Sequence, residues 1–197
     1  MITSTANPQV KNLIQLVKKA KVRNEQRLFV VEGIRMFREI PEGWLDRIYV
    51  SEHFMEEESH EVLANHVFES VSDTKTPQGI LCLVKMPDYT LEEVIPKENA
   101  HLLILESIQD PGNLGTMFRT GEGAGISGII MNRTTVDVFN PKTIRSTMGS
   151  IFRVPFFVTE NLQDILMQLK SRKIKLYSAH LQGSVSYEEP DYKEPTG

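Results

Sequence analysis

Two stretches of this sequence gather residue types that reactions and ligands need. The first runs from Glu106 through Asp110, Asn113, Gly115 and Arg119 to Glu122. The apolar run Leu102–Leu105 precedes it and reads as a strand, so polar groups cluster where a strand ends. Asp110-Pro111-Gly112 is a turn signal, and a helix is expected from Asn113 to about Ala124. Open parallel sheets bind ligands outside the carboxyl ends of their strands, which makes this junction a candidate site. The same residues also read as a capped helix bearing an i, i+3 Arg119–Glu122 pair. The second stretch, Asn140 to Ser150, combines a cap, the cations Lys142 and Arg145, and the hydroxyls of Thr143, Ser146, Thr147 and Ser150. That inventory suits contacts to phosphate and ribose. It also suits a capped amphipathic helix with solvated cations.

Other chemistries lack their residues. Gly121, Gly123 and Gly125 alternate at the end of a helix, whereas a dinucleotide fingerprint opens one. The chain has neither a G-K-[ST] phosphate loop nor a G-x-S-x-G elbow. The five histidines have no metal spacing, so no metal is expected. The single cysteine, Cys82, lies within Ile80–Val84 and reads as core.

An α/β frame must position the two stretches. Asn7-Pro8 opens a helix whose stripe is Val10, Leu13, Ile14 and Val17. Leu28–Val31 reads as a strand, Gly33–Ile40 as a helix, Arg47–Val50 as a strand and Glu56–Asn65 as a helix. Val67–Val71 and Gly79–Val84 read as strands that close a first α/β domain, 1–85. Residues 86–99, with Pro87 and Pro96, form a linker with one helical turn at Leu91–Ile95. The second domain, 100–197, follows with strands at Leu102–Leu105, Ile126–Met131, Val154–Phe157 and Ile174–Ser178. Helices at Asn140–Met148 and Leu162–Lys170 alternate with them, which implies parallel pairing. Ala179 to Gly197 reads as exposed loop.

The 197 residues carry a net charge of −4, with 40% hydrophobic and 24% charged residues, ordinary globular values. No apolar run approaches the ~20 residues of a membrane span, and Met1-Ile-Thr-Ser-Thr is not a secretory signal, so a cytoplasmic protein is expected. The charge is uneven. Residues 1–40 carry eight Lys/Arg against three Glu, whereas 41–100 carry four basic and thirteen acidic residues. The basic block suits a phosphate-bearing partner, and it also suits a solvated helix face.

Asn113-x-Gly115-x-x-x-Arg119, after Asp110-Pro111-Gly112, resembles motif 1 of the SpoU (TrmH) family of RNA 2′-O-ribose methyltransferases, which belong to the knotted SPOUT class. Arg145–Ser150 resembles the segment that follows it. Ser4, Asn7-Pro8, Lys11, Arg23, Glu32-Gly33-Ile34-Arg35 and Thr76-Pro77-Gln78-Gly79 resemble the RNA-substrate-binding domain of longer members. The resemblance implies S-adenosylmethionine as methyl donor, structured RNA (ribosomal RNA above transfer RNA) as acceptor, and a homodimer. It makes Arg119 the catalytic arginine and Asn113 its neighbour, with Glu106, Asp110, Gly115 and Glu122 supporting them. Lys11, Lys18, Arg23, Arg35, Arg145 and Ser146 become candidate RNA contacts. Arginine is nearly always protonated, so Arg119 would act either as a base in an unusual environment or by stabilising phosphate and developing alkoxide.

The family's I-G-N-E-x-x-G-L segment and later S-L-N-V-containing segment, which build the trefoil knot and most of the cofactor pocket, do not occur in the 197 residues. The expectation is a member cut short at its C-terminus, with Ala179, His180 and Leu181 forming one wall of the pocket. Two other readings remain: an RNA-binding protein on an eroded methyltransferase fold, and a small-molecule enzyme with no RNA partner.

Overall fold

The computed structural model describes residues 1–54, 60–96, 98–183, 185, 186 and 188–197. Helix α1 (Pro8–Lys18) starts as its sequence requires: the Asn7 side chain accepts from the Gln9 N–H, and Pro8 fills the first turn. Its fully buried positions are Val10, Leu13 and Leu16, a stripe slightly rotated from the expected one. After α2 (Ala20–Gln26), β1 (Leu28–Glu32) leads into the short α3 (Ile34–Phe37), then β2 (Leu45–Ser51), β3 (Glu61–Leu63), α4 (Asn65–Val71) and β4 (Ile80–Lys85). These strands form one sheet in the order β1-β4-β2-β3. Strand β4 runs antiparallel to β1 and β2, and β3 runs parallel to β2.

Helix α5 (Leu91–Val94) is the turn expected in the linker. Beyond it come β5 (Leu102–Leu105), α6 (Pro111–Gly123), β6 (Gly128–Asn132), α7 (Pro141–Thr147), a 3₁₀ turn at Ser150–Phe152, β7 (Phe156–Thr159) and α8 (Leu162–Ser171). Strands β5, β6 and β7 pair in parallel, as strands joined by helical crossovers should. The chain is a mixed α/β protein with a parallel sheet.

Several elements differ from expectation. Val67–Val71 is helix: Val67, Phe68 and Val71 are all buried, and their i, i+1, i+4 spacing marks a helix face despite two valines. The helix expected over Glu56–Asn65 falls partly outside the described residues, and its tail contains β3 instead. The helix expected at Gly33–Ile40 is one turn, Ile34–Phe37. Ile174–Ser178 makes a single bridge, Lys175 to Thr196, rather than a strand. That bridge exists because Pro195–Gly197 is not loop. Thr196 also bridges His101, so the last residues lie between β5 and the 174–177 segment.

The two sheets share apolar packing. Phe29 on β1 meets Phe139, with ring centroids 4.8 Å apart, and Phe139 meets Phe156 on β7. Trp44 packs edge-on against Phe152. One buried cluster therefore runs from the first sheet into the second.

Candidate functional site

The loop after β5 is braced from β6. Ser107, at φ +56°, donates its backbone N–H to Asn132 Oδ1 at 2.8 Å, and its hydroxyl lies 2.7 Å from that of Thr134. The Gln109 amide donates to the Thr134 carbonyl at 2.9 Å. Both loops leave the carboxyl ends of their strands, so this end of the sheet is tied together by polar contacts. Glu106 projects from the same end and is exposed. Helix α6 begins at Pro111, two residues before the expected Asn113, because Asp110 is the cap. Its carboxylate accepts from the Asn113 backbone N–H at 2.8 Å. That bond, and Lys142 Nζ at 3.4 Å, hold the Asp110 carboxyl below the usual carboxylate range. Asn113 leaves its side chain exposed.

Helices α6 and α7 touch at Gly115. A Cβ there would lie 2.4 Å from Ser146 Cβ and 2.7 Å from the Thr143 carbonyl oxygen. The motif glycine therefore permits a close helix crossing. The four hydroxyls of the second stretch serve that packing. Thr143 donates to the Asp137 carbonyl, Ser146 to Lys142, Thr147 to Ile144 and Ser150 to Thr147. Ser146, a candidate RNA contact, already gives its proton to a backbone carbonyl. Helix α7 ends in two left-handed residues, Met148 (φ +51°) and Gly149 (φ +94°).

Residues 115, 119 and 122 form one stripe of α6 at i, i+4, i+7 spacing. Gly115 packs on Ser146, and Glu122 ion-pairs with Arg153, which also pairs with Glu39 of the first domain. Glu122 is thus not the partner of Arg119. Arg119 lies between these two anchors, exposed, with no hydrogen bond or ion pair among the described residues. Arg145 sits on the facing side of the α7 end. Its Nη2 meets Asp73 at 2.9 Å, while its Nη1 is shut off from solvent with no partner. A buried donor left unpaired costs about 1–3 kcal/mol.

The first domain sorts its cations into two kinds. Lys11 and Lys18 are exposed and without partners among the described residues, and so is Arg35. Arg23, also a candidate RNA contact, is 3% exposed. Its Nε and Nη2 reach Asp137 Oδ2 at 3.0 and 2.5 Å, and its Nη1 donates to the carbonyls of Leu16 and Val17. The family resemblance had made Arg23 an RNA contact; the structure makes it a buried tie between the domains. Glu32 of the E-G-x-R segment is likewise structural. It accepts from Ser72 and Thr74 hydroxyls and from the Asp73 N–H, which presents Asp73 to Arg145. Gln78 accepts from the Ile34 N–H, joining T-P-Q-G to E-G-x-R.

Ala179, His180 and Leu181 are exposed, with Leu181 wholly so. The Gln182 N–H bonds His180 Nδ1 at 3.1 Å, and the Gly183 N–H bonds the His180 carbonyl at 2.9 Å, which fixes the turn. Leu181 thus presents an exposed apolar side chain on that turn. The turn leaves the sheet at the same end as Glu106–Asp110. Arg119 lies about 12 Å along α6 from that end. Among the described residues no group of three or more His, Cys, Asp or Glu is placed to hold a metal.

Asn132, Thr134, Asp137, Asp73, Glu39 and Arg153 were not singled out from the sequence. Each acts across a long sequence separation, so no local pattern marks them.

Residues 100–197 match the SpoU rRNA Methylase family, and residues 7–82 match the MRM3-like substrate binding domain. The chain is 33% identical to 23S rRNA (guanosine(2553)-2′-O)-methyltransferase RlmP of Bacillus subtilis, over 95% of this chain and 76% of that protein. An AdoMet-bound rRNA methyltransferase from Sinorhizobium meliloti superposes with a TM-score of 0.84 at 30% identity, over 99% of this chain and 78% of that one. The SpoU methyltransferase AviRb from Streptomyces viridochromogenes shares the fold, with a TM-score of 0.86 at 20% identity, over 96% of this chain and 79% of that one.

Proposed function

The chain belongs to the SpoU rRNA methylase family, a family of enzymes, and from that premise we propose that it methylates a ribose 2′-hydroxyl of ribosomal RNA. The donor is S-adenosylmethionine, which supplies a methyl group activated as a sulfonium. Arg119 carries the reading. It is an exposed guanidinium without a partner among the described residues, held between two anchored points of α6. A guanidinium without an internal acceptor is free to meet an incoming anion with its fork of donors. No described neighbour touches Arg119 to take its proton, which favours electrostatic stabilisation of phosphate and developing alkoxide over a base role. Asn113 adds an exposed amide one turn into the same helix. Alignment of hydroxyl and methyl group then does the remaining work, and the reaction asks for no metal.

Of the candidate RNA contacts, Lys11, Lys18 and Arg35 are exposed and without a partner among the described residues, and Arg145 is part-exposed beside Asp73. Ala179–Leu181 would hold one face of the donor. A homodimer belongs to this reading, as the family resemblance implies. A cytoplasmic location and a knot completed around the 174–197 region belong to it too.

The test is transfer of tritiated methyl from S-adenosylmethionine to ribosomal RNA lacking the modification. Alkaline hydrolysis should leave label in resistant dinucleotides, the signature of a blocked 2′-hydroxyl. Label released in mononucleotides would mean base methylation, and RNA binding without transfer would favour the non-catalytic reading.

A further inference from the structure

Between the domains lies an open cleft of ≈ 520 Å³, a volume within the range of small-ligand sites. Its walls come from α3 and the Thr74–Gln78 segment on one side, and from the end of α7 on the other. Arg35 and Arg38 face Arg145 and Met148 across it.

The two carboxylates of the cleft are already occupied. Glu32 accepts from Ser72, Thr74 and the Asp73 N–H, and Glu39 is held by Arg153. Arg35 has no partner among the described residues, and the Arg145 side chain, 32% exposed, keeps donors beyond the one that meets Asp73. Donors are thus in excess of acceptors. Beside them Met148 is 51% exposed, a large apolar side chain at the mouth of a charged cleft. It is held there by a left-handed backbone that a β-carbon disfavours, at φ +51°. Arg119 lies on the α6 stripe that packs against this same end of α7.

We propose that this cleft seats an unstacked nucleotide of the RNA, next to the one that reacts. Arg35 and Arg145 take its phosphate, and Met148 covers the face of its base. Sequence-selective proteins read RNA mostly through bases splayed out of the helix, held against flat or apolar side chains. A duplex cannot enter, because its bases face inward. The first domain then completes the substrate site itself, rather than serving as a distant tether. This inference rests on the RNA-methyltransferase reading for its choice of ligand class.

Binding without methyl donor tests it separately from catalysis. The probes are fluorescein-labelled single-stranded octaadenylate and a blunt 16-base-pair RNA duplex, titrated with the whole 197-residue protein and followed by anisotropy. Arg35→Ala removes an exposed, unpaired side chain. Met148→Gly removes the apolar cover while relieving the backbone, because glycine favours positive φ. The expected result is about tenfold weaker octaadenylate binding for Arg35→Ala, with a salt slope lower by about 0.7. Met148→Gly should weaken it about fivefold, the low end for a base contact. Duplex binding should stay within about twofold for both. Octaadenylate binding equal to wild type in both variants overturns the proposal, even if ribosomal RNA is methylated. Equal losses on the duplex, or no octaadenylate binding by the wild type, overturn it as well. Weakened single-strand binding together with absent methyl transfer would sustain the cleft and defeat the catalytic reading.

Discussion

The α6–α7 joint and the α1–α2 pair each carry an arginine that the sequence places on a functional surface, and the two come to opposite ends. At the joint, Gly115 and the hydroxyls of α7 meet packing and carbonyl needs, which leaves Arg119 exposed and without a partner among the described residues. In the first domain Arg23 turns inward, ties Asp137 to the end of α1, and leaves the outer face to Lys11 and Lys18. Motif residues act here by being small or by capping, so that one charged group stays free. A block of like charge, by contrast, does not say which member faces solvent.

The sharpest break of this comparison is Arg119→Ala. If the free guanidinium stabilises charge in the transition state, methyl transfer should fall by about 10²–10³ with the thermal midpoint unchanged. Near-normal turnover would sink the assignment. Next comes Asp137→Ala, which strands the buried Arg23 charge. Removing one partner of a buried pair costs about 3–5 kcal/mol, and the two carbonyls left on Nη1 favour about 3. A urea unfolding curve measures it, and a loss under about 1 kcal/mol would mean that Arg23 finds water. Gly115→Ala is milder, at about 2 kcal/mol, because the Thr143 carbonyl is backbone and yields little. Adding Ser146→Gly should recover part of that loss; no recovery would place the strain elsewhere.

The sequence shows the second domain more clearly than the first. Strands β5, β6 and β7 are short apolar runs separated by capped helices, and parallel order follows from crossovers. In the first domain, β-branched residues at Val67 and Val71 imitate a strand, and the helix wins through tertiary burial. The caps at Asn7, Asn140 and Asp110 are local and legible, although the Asp110-Pro111-Gly112 turn signal hid a helix start. The C-terminal bridge at Thr196 is not legible, because pairing between residues 95 apart leaves no periodicity in a three-residue segment. Motif resemblance located Arg119. The geometry around it depends on Glu39, Arg153 and Asp73, which only the fold brings near.

The outer face of the first domain gives a smaller effect. Replacing Lys11 and Lys18 together by Ala should weaken ribosomal RNA binding by about tenfold at moderate salt and lower the salt slope by about two. Arg23 is left intact in that test, because it is buried against Asp137 and its loss would cost stability rather than report on phosphate. An unchanged slope would move the RNA path off this face.

The smallest effect is expected at Asp110, and its sign is fixed by the cap. The ionised carboxylate accepts from the Asn113 N–H and faces Lys142, so its folded pKa lies below that of the unfolded chain. A depressed folded pKa contributes stability that is present above the usual carboxylate range and lost as pH falls through the folded value. Asp110→Asn keeps a side-chain oxygen for the cap but cannot titrate. Wild type should therefore exceed the variant in urea midpoint near about pH 6, and the gap should narrow as pH falls below the usual carboxylate range. Other carboxylates titrate in both proteins and cancel in the difference. Because Asp110 is exposed and its attraction to Lys142 is screened, added salt should narrow the gap at the higher pH. A gap of constant size across this range would assign the cap to hydrogen-bond geometry alone, with no part for the charge.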